Sequence, residues 1–320
     1  NLFALTYGWM GMAPEGWAAN LDKLYELQTK SNSGYYKKLA TQYSQKLVGV
    51  TLLKNINIYT ATNKGLLKNT QVALKDGKIV AVGQGSNAFK VNRTIDGKGK
   101  TLMPGLWDMH THISIDDGIL NIVNGVTSIR DLANKHEDVM QATALFNSGE
   151  AIGPSIYRAG FIDKKSPFSA PTGKLATNLE EALAFVDWYA ERGYQQIKIY
   201  SSITPAWVKP IAERIHNHGM KLSGHIPSYM TAEQAVKDGF DEIQHINMLF
   251  LNFLASKEDD TRTPVRFTLV GEKAGELDLN SKVVSDFITL LKQKDVIVDP
   301  TLTIFQSMFI NKAGEVDPGY

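Results

Sequence analysis

The sequence contains no cysteine, which excludes a disulfide framework, a thiolate metal site and a cysteine nucleophile. Any metal would have to be held by His, Asp, Glu or a modified Lys. No run of eighteen apolar residues occurs, so no segment is long enough to cross a bilayer as a helix. Charge imbalance is missing too. The 34 basic and 33 acidic residues are interspersed and give a formal net charge of +1, which offers no electrostatic reason to expect nucleic acid or an anionic membrane as partner. No glycine-rich dinucleotide or phosphate loop follows any apolar run. The opening NLFALTYGWMGMAP lacks both a basic n-region and an initiator methionine. We therefore expect the natural N-terminus to lie upstream; a signal peptide there would be invisible, and the compartment, cytoplasmic or exported, stays open.

What is present is a globular composition, 43% hydrophobic and 21% charged over 320 residues, enough for one large α/β barrel or two ordinary domains. Residues 1–46 read as an aromatic-rich leader of no assignable role. It contains a packing helix that carries Trp17, Leu21, Leu24 and Leu27, closed by a polar SNSG break at Ser31–Gly34. Residues 47–105 read as a small antiparallel, sandwich-like β module, with Asp76-Gly77 as a hairpin turn and Asp96-Gly97 as a second turn. From 106 to 320 strands alternate with helices, the candidate strands being 106–112, 125–131, 154–160, 195–200, 220–225, 241–245 and 295–299. Thr177 with Glu180 reads as a capping box, Thr204-Pro205 and Thr231 with Gln234 as further helix starts, and 247–280 as a charged excursion beside a pocket. Polar residues end several of these strands, which favours a TIM-type (β/α)₈ barrel, with about seven strands present, over a doubly wound sheet.

The chemistry begins at TLMPGLWDMHTH. Side chains at i and i+2 of a strand share a face, so His110 and His112 can present imidazoles to one metal ion. Three later runs end in Lys198, His225 and His245. Four histidines and a lysine at strand ends suggest two divalent metal ions, Zn²⁺ by donor type, with His110 and His112 on one and His225 and His245 on the other. An ammonium has the wrong charge beside two cations. Lys198 suits that place as a carboxylated, anionic bridge, and the rival role is an ion pair at the barrel mouth. Such a site performs metal-assisted hydrolysis and needs a carboxylate to handle the proton. Asp131 and Asp299 are the strand-end acids, but Asp131 reads rather as a cap and Asp299 as structural, so the catalytic base is unassigned. Tyr200, Tyr229 and His136 are the substrate-contact candidates.

PGLWDMHTH, GVTSIRDL, IKIY with Lys198, GHIP with His225 and QHINM with His245 together resemble the amidohydrolase superfamily, in its imidazolonepropionase-like and prolidase-like branches. The resemblance covers roughly residues 47 to 310. It implies His110 and His112 on a buried metal, His225 and His245 on a more exposed one, and carboxylated Lys198 between them. It also implies a metal-binding, proton-shuttling aspartate ending an eighth strand, which we expect to lie beyond Tyr320. The function so implied is hydrolysis of an amide bond, linear or cyclic, in a small molecule such as a dipeptide or N-acyl amino acid. A lactonase or phosphotriesterase-like hydrolase and an inactive barrel serving as a binding scaffold are the alternatives. A homo-oligomer is compatible with all of them.

Overall fold

The computed structural model describes residues 5–7 and 10–310. A short hairpin, β1 (Leu5–Tyr7) and β2 (Met10–Met12), precedes helix α1 (Leu21–Tyr43). The helix runs straight through Ser31–Gly34, where the sequence had suggested a break. Serine, asparagine and glycine are weak helix formers by under about 1 kcal/mol each, and contacts to the rest of the chain override that. Asn32 donates to both Asp116 carboxylate oxygens (3.1 and 2.8 Å), Tyr25 donates to Asp138 (2.5 Å), and Tyr36 packs on Ile113, Phe146 and their neighbours. Trp17 and Leu27, expected to pack, lie exposed.

Strands β3 (Val50–Tyr59), β4 (Leu66–Lys75), β5 (Lys78–Val82), β6 (Val91–Asp96) and β7 (Thr101–Leu102) make the second unit. It is one mixed sheet rather than an antiparallel sandwich: β3 pairs antiparallel with β4 but parallel with β6 and β7. The Asp76-Gly77 turn is as expected, with φ of 49° and 72° joining β4 to β5. After β6 the positive φ values fall on Lys98 and Gly99, just past the Asp96-Gly97 pair.

A seven-stranded parallel barrel follows, built from β8 (Leu106–Thr111), β9 (Val126–Asp131), β10 (Ser155–Lys164), β12 (Gln196–Ile199), β13 (Lys221–Gly224), β14 (Glu242–Gln244) and β15 (Ile297–Asp299), while β11 (Lys174–Ala176) flanks β10. Helices α2 (Asp117–Val123), α3 (His136–Ser148), α4 (Leu179–Ala190), α5 (Pro205–Asn217), α6 (Ala232–Lys237), α7 (Ile246–Leu254), α8 (Val265–Lys273), α9 (Lys282–Gln293) and α10 (Leu302–Ile310) lie between or after them. All seven strands fall where the apolar runs predicted. Among the described residues no ladder joins β8 to β15, yet the sheet curls until a hydrogen bond crosses from His110 to Asp299 at 2.8 Å.

Two details differ from expectation. The cap of α4 is Asn178, which accepts from the Glu181 N–H, while the Glu181 carboxylate reaches back to Thr177. The box is therefore shifted by one residue, since Thr177 and Asn178 can both cap. Residues 247–280, read as a charged excursion beside a pocket, carry most of α7 and all of α8, because their apolar residues have helical spacing that packs Met248, Leu251, Leu269 and Val270 into the core.

Period-two alternation explains the two faces of the sheet. Ile197, Ile199, Leu222 and Ile243 point outward into the helix layer, with Val186, Val208, Ile211 and Ile215 packed around them. The intervening residues point inward and are polar: Lys198, Ser223 and Glu242 stand in one register row. Barrel interiors are ordinarily filled by branched aliphatics, so this polar interior is a departure that asks for a chemical reason.

Asp163, fully buried near the end of β10, accepts from the Lys164 and Ser202 N–H groups (2.9 and 3.0 Å), which ties β10 to the loop after β12. Its other oxygen has no partner, and burial pushes the carboxyl up to about 7. The folded chain thus holds this proton more tightly than the unfolded chain does. Stability from this group is fullest below about pH 4 and falls as pH rises toward 7. Asp163→Asn is expected to remove that slope, at most about 1.4 kcal/mol per pH unit. Urea unfolding of both proteins across this range checks it, and parallel pH profiles would contradict it.

Candidate active site

Strands β8, β12, β13 and β14 deliver five polar side chains to one end of the barrel. His110 and His112 share a face with ring centroids 5.7 Å apart. The His245 ring lies 4.7 Å from that of His110 and 4.6 Å from that of His225. Lys198, 2% exposed, donates to His110 Nε2 at 3.3 Å. The structure therefore brings His110, His112, Lys198, His225 and His245 together at the C-terminal ends of their strands.

Local backbone geometry serves this convergence. Gly224 has φ of 142°, and a Cβ there would sit 2.0 Å from the Ile199 carbonyl oxygen, so glycine permits the close approach of β13 to β12 just before His225. His245 adopts φ of 71°, a conformation that costs about 1–3 kcal/mol in a residue with a side chain and is characteristic of functional sites. Its N–H donates to the Asp299 carbonyl at 2.7 Å, and the next N–H to that of Pro300 at 3.1 Å.

Each imidazole is anchored through Nδ1: His110 to the Asp299 carboxylate (2.8 Å), His112 to the Ala133 carbonyl (2.9 Å), His225 to the Ser201 hydroxyl (3.3 Å) and His245 to the Thr301 hydroxyl (2.8 Å). For His110 and His112 the partner can only accept, so the proton sits on Nδ1 and Nε2 keeps its lone pair. That outer anchoring is the arrangement which orients metal-ligating histidines. Burial, followed by the charge of Lys198, holds His110 down to about 2 and His112 to about 4; burial also brings His245 to about 2 and puts His225 well below its usual value. All four rings are thus neutral, the form that binds cations. Burial likewise lowers Lys198 to about 7. The donor chemistry fits divalent zinc, although among the described residues no three His, Asp or Glu side chains are arranged to hold a metal ion as they stand.

Asp131 and Asp299 both have structural partners. Asp131 Oδ2 accepts from the Ile113 N–H (2.8 Å) and from Asn134 (2.9 Å), clamping the turn after His112, and burial raises its carboxyl to about 6. Asp299 accepts from His110 and, at 3.3 Å, from Arg130. Arg130 also makes a two-bond pair with Glu242 (2.5 and 2.6 Å) and donates to the Met109 carbonyl (2.8 Å). This ionic network across the barrel was not foreseen, though a charged residue inside each of the runs TSIRD and DEIQ was its visible signal.

A small cavity of about 200 Å³ is bordered by Lys198, Tyr200, His225, His245, Arg266 and Phe305, among others. A larger one, about 760 Å³, lies between α1 and the loop after β8, with Tyr25, Asn32, Asp116 and Asn134 on its walls. His112 borders both. Of the substrate candidates, Tyr200 stacks on His225 (3.9 Å between centroids) and reaches the small cavity. Tyr229 does not border it, being half exposed beside Arg262. His136 borders neither cavity; it packs on Trp188 and bonds the Tyr194 hydroxyl at 2.9 Å. Tyr229 lies in a loop and His136 opens α3, and which cavity either side chain borders is not written in local pattern.

No protein-family model matches the sequence. Ochratoxinase from Aspergillus niger is 23% identical over 248 residues, covering 57% of this chain and 51% of that protein. An imidazolonepropionase of Staphylococcus aureus is 45% identical over 49 residues, 15% of this chain and 12% of that one. The chain thus spans about half the length of the ochratoxinase relatives it matches. Among solved structures, A. niger ochratoxinase superposes with a TM-score of 0.56 at 18% identity, over 83% of this chain and 69% of that one. A Xaa-Pro dipeptidase does so with a TM-score of 0.54 at 17% identity, over 78% of each chain. At these identities the structural likeness speaks for the fold, a TIM-type barrel. Together with the HTH run of β8 and the four later strand-end motifs, the curated relatives support an amidohydrolase-superfamily member.

Proposed function

We propose that this barrel hydrolyses an amide bond, linear or cyclic, in a small molecule such as a dipeptide or N-acyl amino acid, with two divalent metal ions, zinc by donor type, as cofactors. The observation that carries this reading is the convergence of four neutral, Nδ1-anchored imidazoles around one buried lysine. His110 and His112 would hold one ion, His225 and His245 the other, and Lys198, carboxylated, would bridge them. Bound there, zinc supplies Lewis acidity toward an amide carbonyl and toward water.

The chain's own residues prepare that chemistry. Asp299 and Ala133 retain the Nδ1 protons of His110 and His112 and so leave both Nε2 lone pairs available, that of His110 facing Lys198 at 3.3 Å. Tyr200 covers one face of His225, while Met248, Phe267 and Phe305 line the cavity and limit water. Hydrolysis by the zinc-supplemented protein of a panel of dipeptides and N-acyl amino acids, run beside matched esters and lactones with metal content measured in parallel, tests the reading. Amide turnover with about two zinc ions per chain is expected. Preference for esters would favour the lactonase alternative, and a protein that takes up no metal would overturn the assignment.

A further inference from the structure

Arg266, in the first turn of α8, borders the small cavity together with His225, His245 and Lys198. Its guanidinium lies over the Phe267 ring, 4.6 Å from the centroid, whereas Arg130 in the barrel interior is paired with Glu242 and Asp299. Among the described residues no carboxylate lies within ion-pair distance of Arg266, and its guanidinium makes no hydrogen bond to a side chain. Beside it, Asn247 is 1% exposed and borders the same cavity. Its Nδ2 donates to the Arg266 carbonyl at 3.1 Å, which fixes the orientation of the amide, and its Oδ1 has no partner. A buried acceptor left without a donor costs about 1–3 kcal/mol, so a group that supplies an N–H there is favoured. Beside the imidazoles and Lys198, the cavity thus offers a planar, two-pronged cation and an unpartnered amide acceptor within an apolar wall of Met248, Phe267 and Phe305. At about 200 Å³ it is smaller than the roughly 300–1,000 Å³ of sites for drug-sized ligands, which suits one amino-acid-sized group.

We propose that Arg266 and Asn247 form a recognition site for an amino-acid unit that carries a free carboxylate next to a secondary amide, Arg266 pairing with the carboxylate and Asn247 Oδ1 accepting the amide N–H. Arginine matches a carboxylate with two parallel hydrogen bonds, which makes the site selective for an acid over its neutral amide. The N–H requirement separates N-acyl amino acids with a secondary amide from proline amides, whose nitrogen has no hydrogen. Only the fate of the bound molecule rests on the amidohydrolase reading; its capture does not.

The test is calorimetric binding of three probes to the 320-residue chain: N-acetylleucine, its carboxamide, and its N-methylated amide analogue. Charged hydrogen bonds of this kind predict that N-acetylleucine binds about ten- to hundredfold more tightly than the carboxamide, with a smaller loss on N-methylation. Arg266→Gln should bring acid and carboxamide to equal affinity while keeping the N–H preference, and Arg266→Lys should retain part of the acid preference. Equal binding of acid and carboxamide to the parent, or a preference that survives Arg266→Gln, overturns the Arg266 role. Equal binding of the N-methyl analogue overturns that of Asn247. Turnover is scored separately: selective binding without hydrolysis would count against the amidohydrolase reading alone, and hydrolysis without acid preference against this site alone.

Discussion

Arg130→Ala is expected to destabilise the fold by about 3–5 kcal/mol, the cost of leaving buried charge uncompensated. Arg130 is 9% exposed and satisfies Glu242 on β14, Asp299 on β15 and the Met109 carbonyl on β8, so its removal strands two carboxylates inside the barrel. It also frees Asp299 from one of the groups that place it against His110 Nδ1. A buried ion pair is a weak source of net stability, since desolvation offsets its attraction, and the loss arises from breaking it one-sidedly. The double variant Arg130→Met with Glu242→Leu should therefore recover most of the stability that Arg130→Ala loses. Urea unfolding of the three proteins measures this. A single variant within about 0.5 kcal/mol of the parent, the range of surface substitutions, would show that the network contributes nothing.

The residues that resist reading from sequence are those whose partners depend on closure of the barrel. His110 and His112 were legible because a strand repeats every two residues, and Lys198, His225 and His245 because each ends an apolar run. Arg130 and Glu242 sit inside equally plain strands, but which interior side chains meet across the sheet follows from its curvature, and their pairing spans 112 residues of sequence. Asp299 had suggested only a structural role, since nothing local shows that its carboxylate reaches back to β8. The same cause explains α1. Its middle looks like a break by propensity, and the Asn32 to Asp116 and Tyr25 to Asp138 bonds that anchor it are long-range. Tyr229 and His136 do not border the small cavity, and this was illegible for the complementary reason, since no periodicity shows which residues outside the strands reach its mouth. Arg266 went unnoticed inside 247–280, because only the folding of that stretch into α7 and α8 turns it toward the histidines.

Lys198→Ala is expected to lower zinc affinity by more than about 100-fold, beyond the 10- to 100-fold lost when an outer partner of a metal ligand is removed. The expectation follows from place and charge. Lys198 stands within hydrogen-bond reach of His110 and is enclosed at 2% exposure among rings held neutral, where an unmodified ammonium would repel any cation they bind. Loss of one proton from the ammonium, addition of the freed amine lone pair to the carbon of CO₂ and loss of a second proton from nitrogen would turn this cation into an anion with two oxygen donors. Alanine cannot do so, and metal stoichiometry should fall together with hydrolysis. Short carboxylic acids such as propionate, placed in the space the side chain vacates, should restore part of both, because they supply the missing carboxylate. Lys198→Met is the control for volume: it fills the space, leaves no room for propionate and should not be rescued. Metal content by emission spectroscopy, with and without added acid, decides the matter independently of turnover. If the alanine variant retains full zinc and full activity, Lys198 is a hydrogen-bond donor to His110 and nothing more, and the two-metal reading loses its bridge.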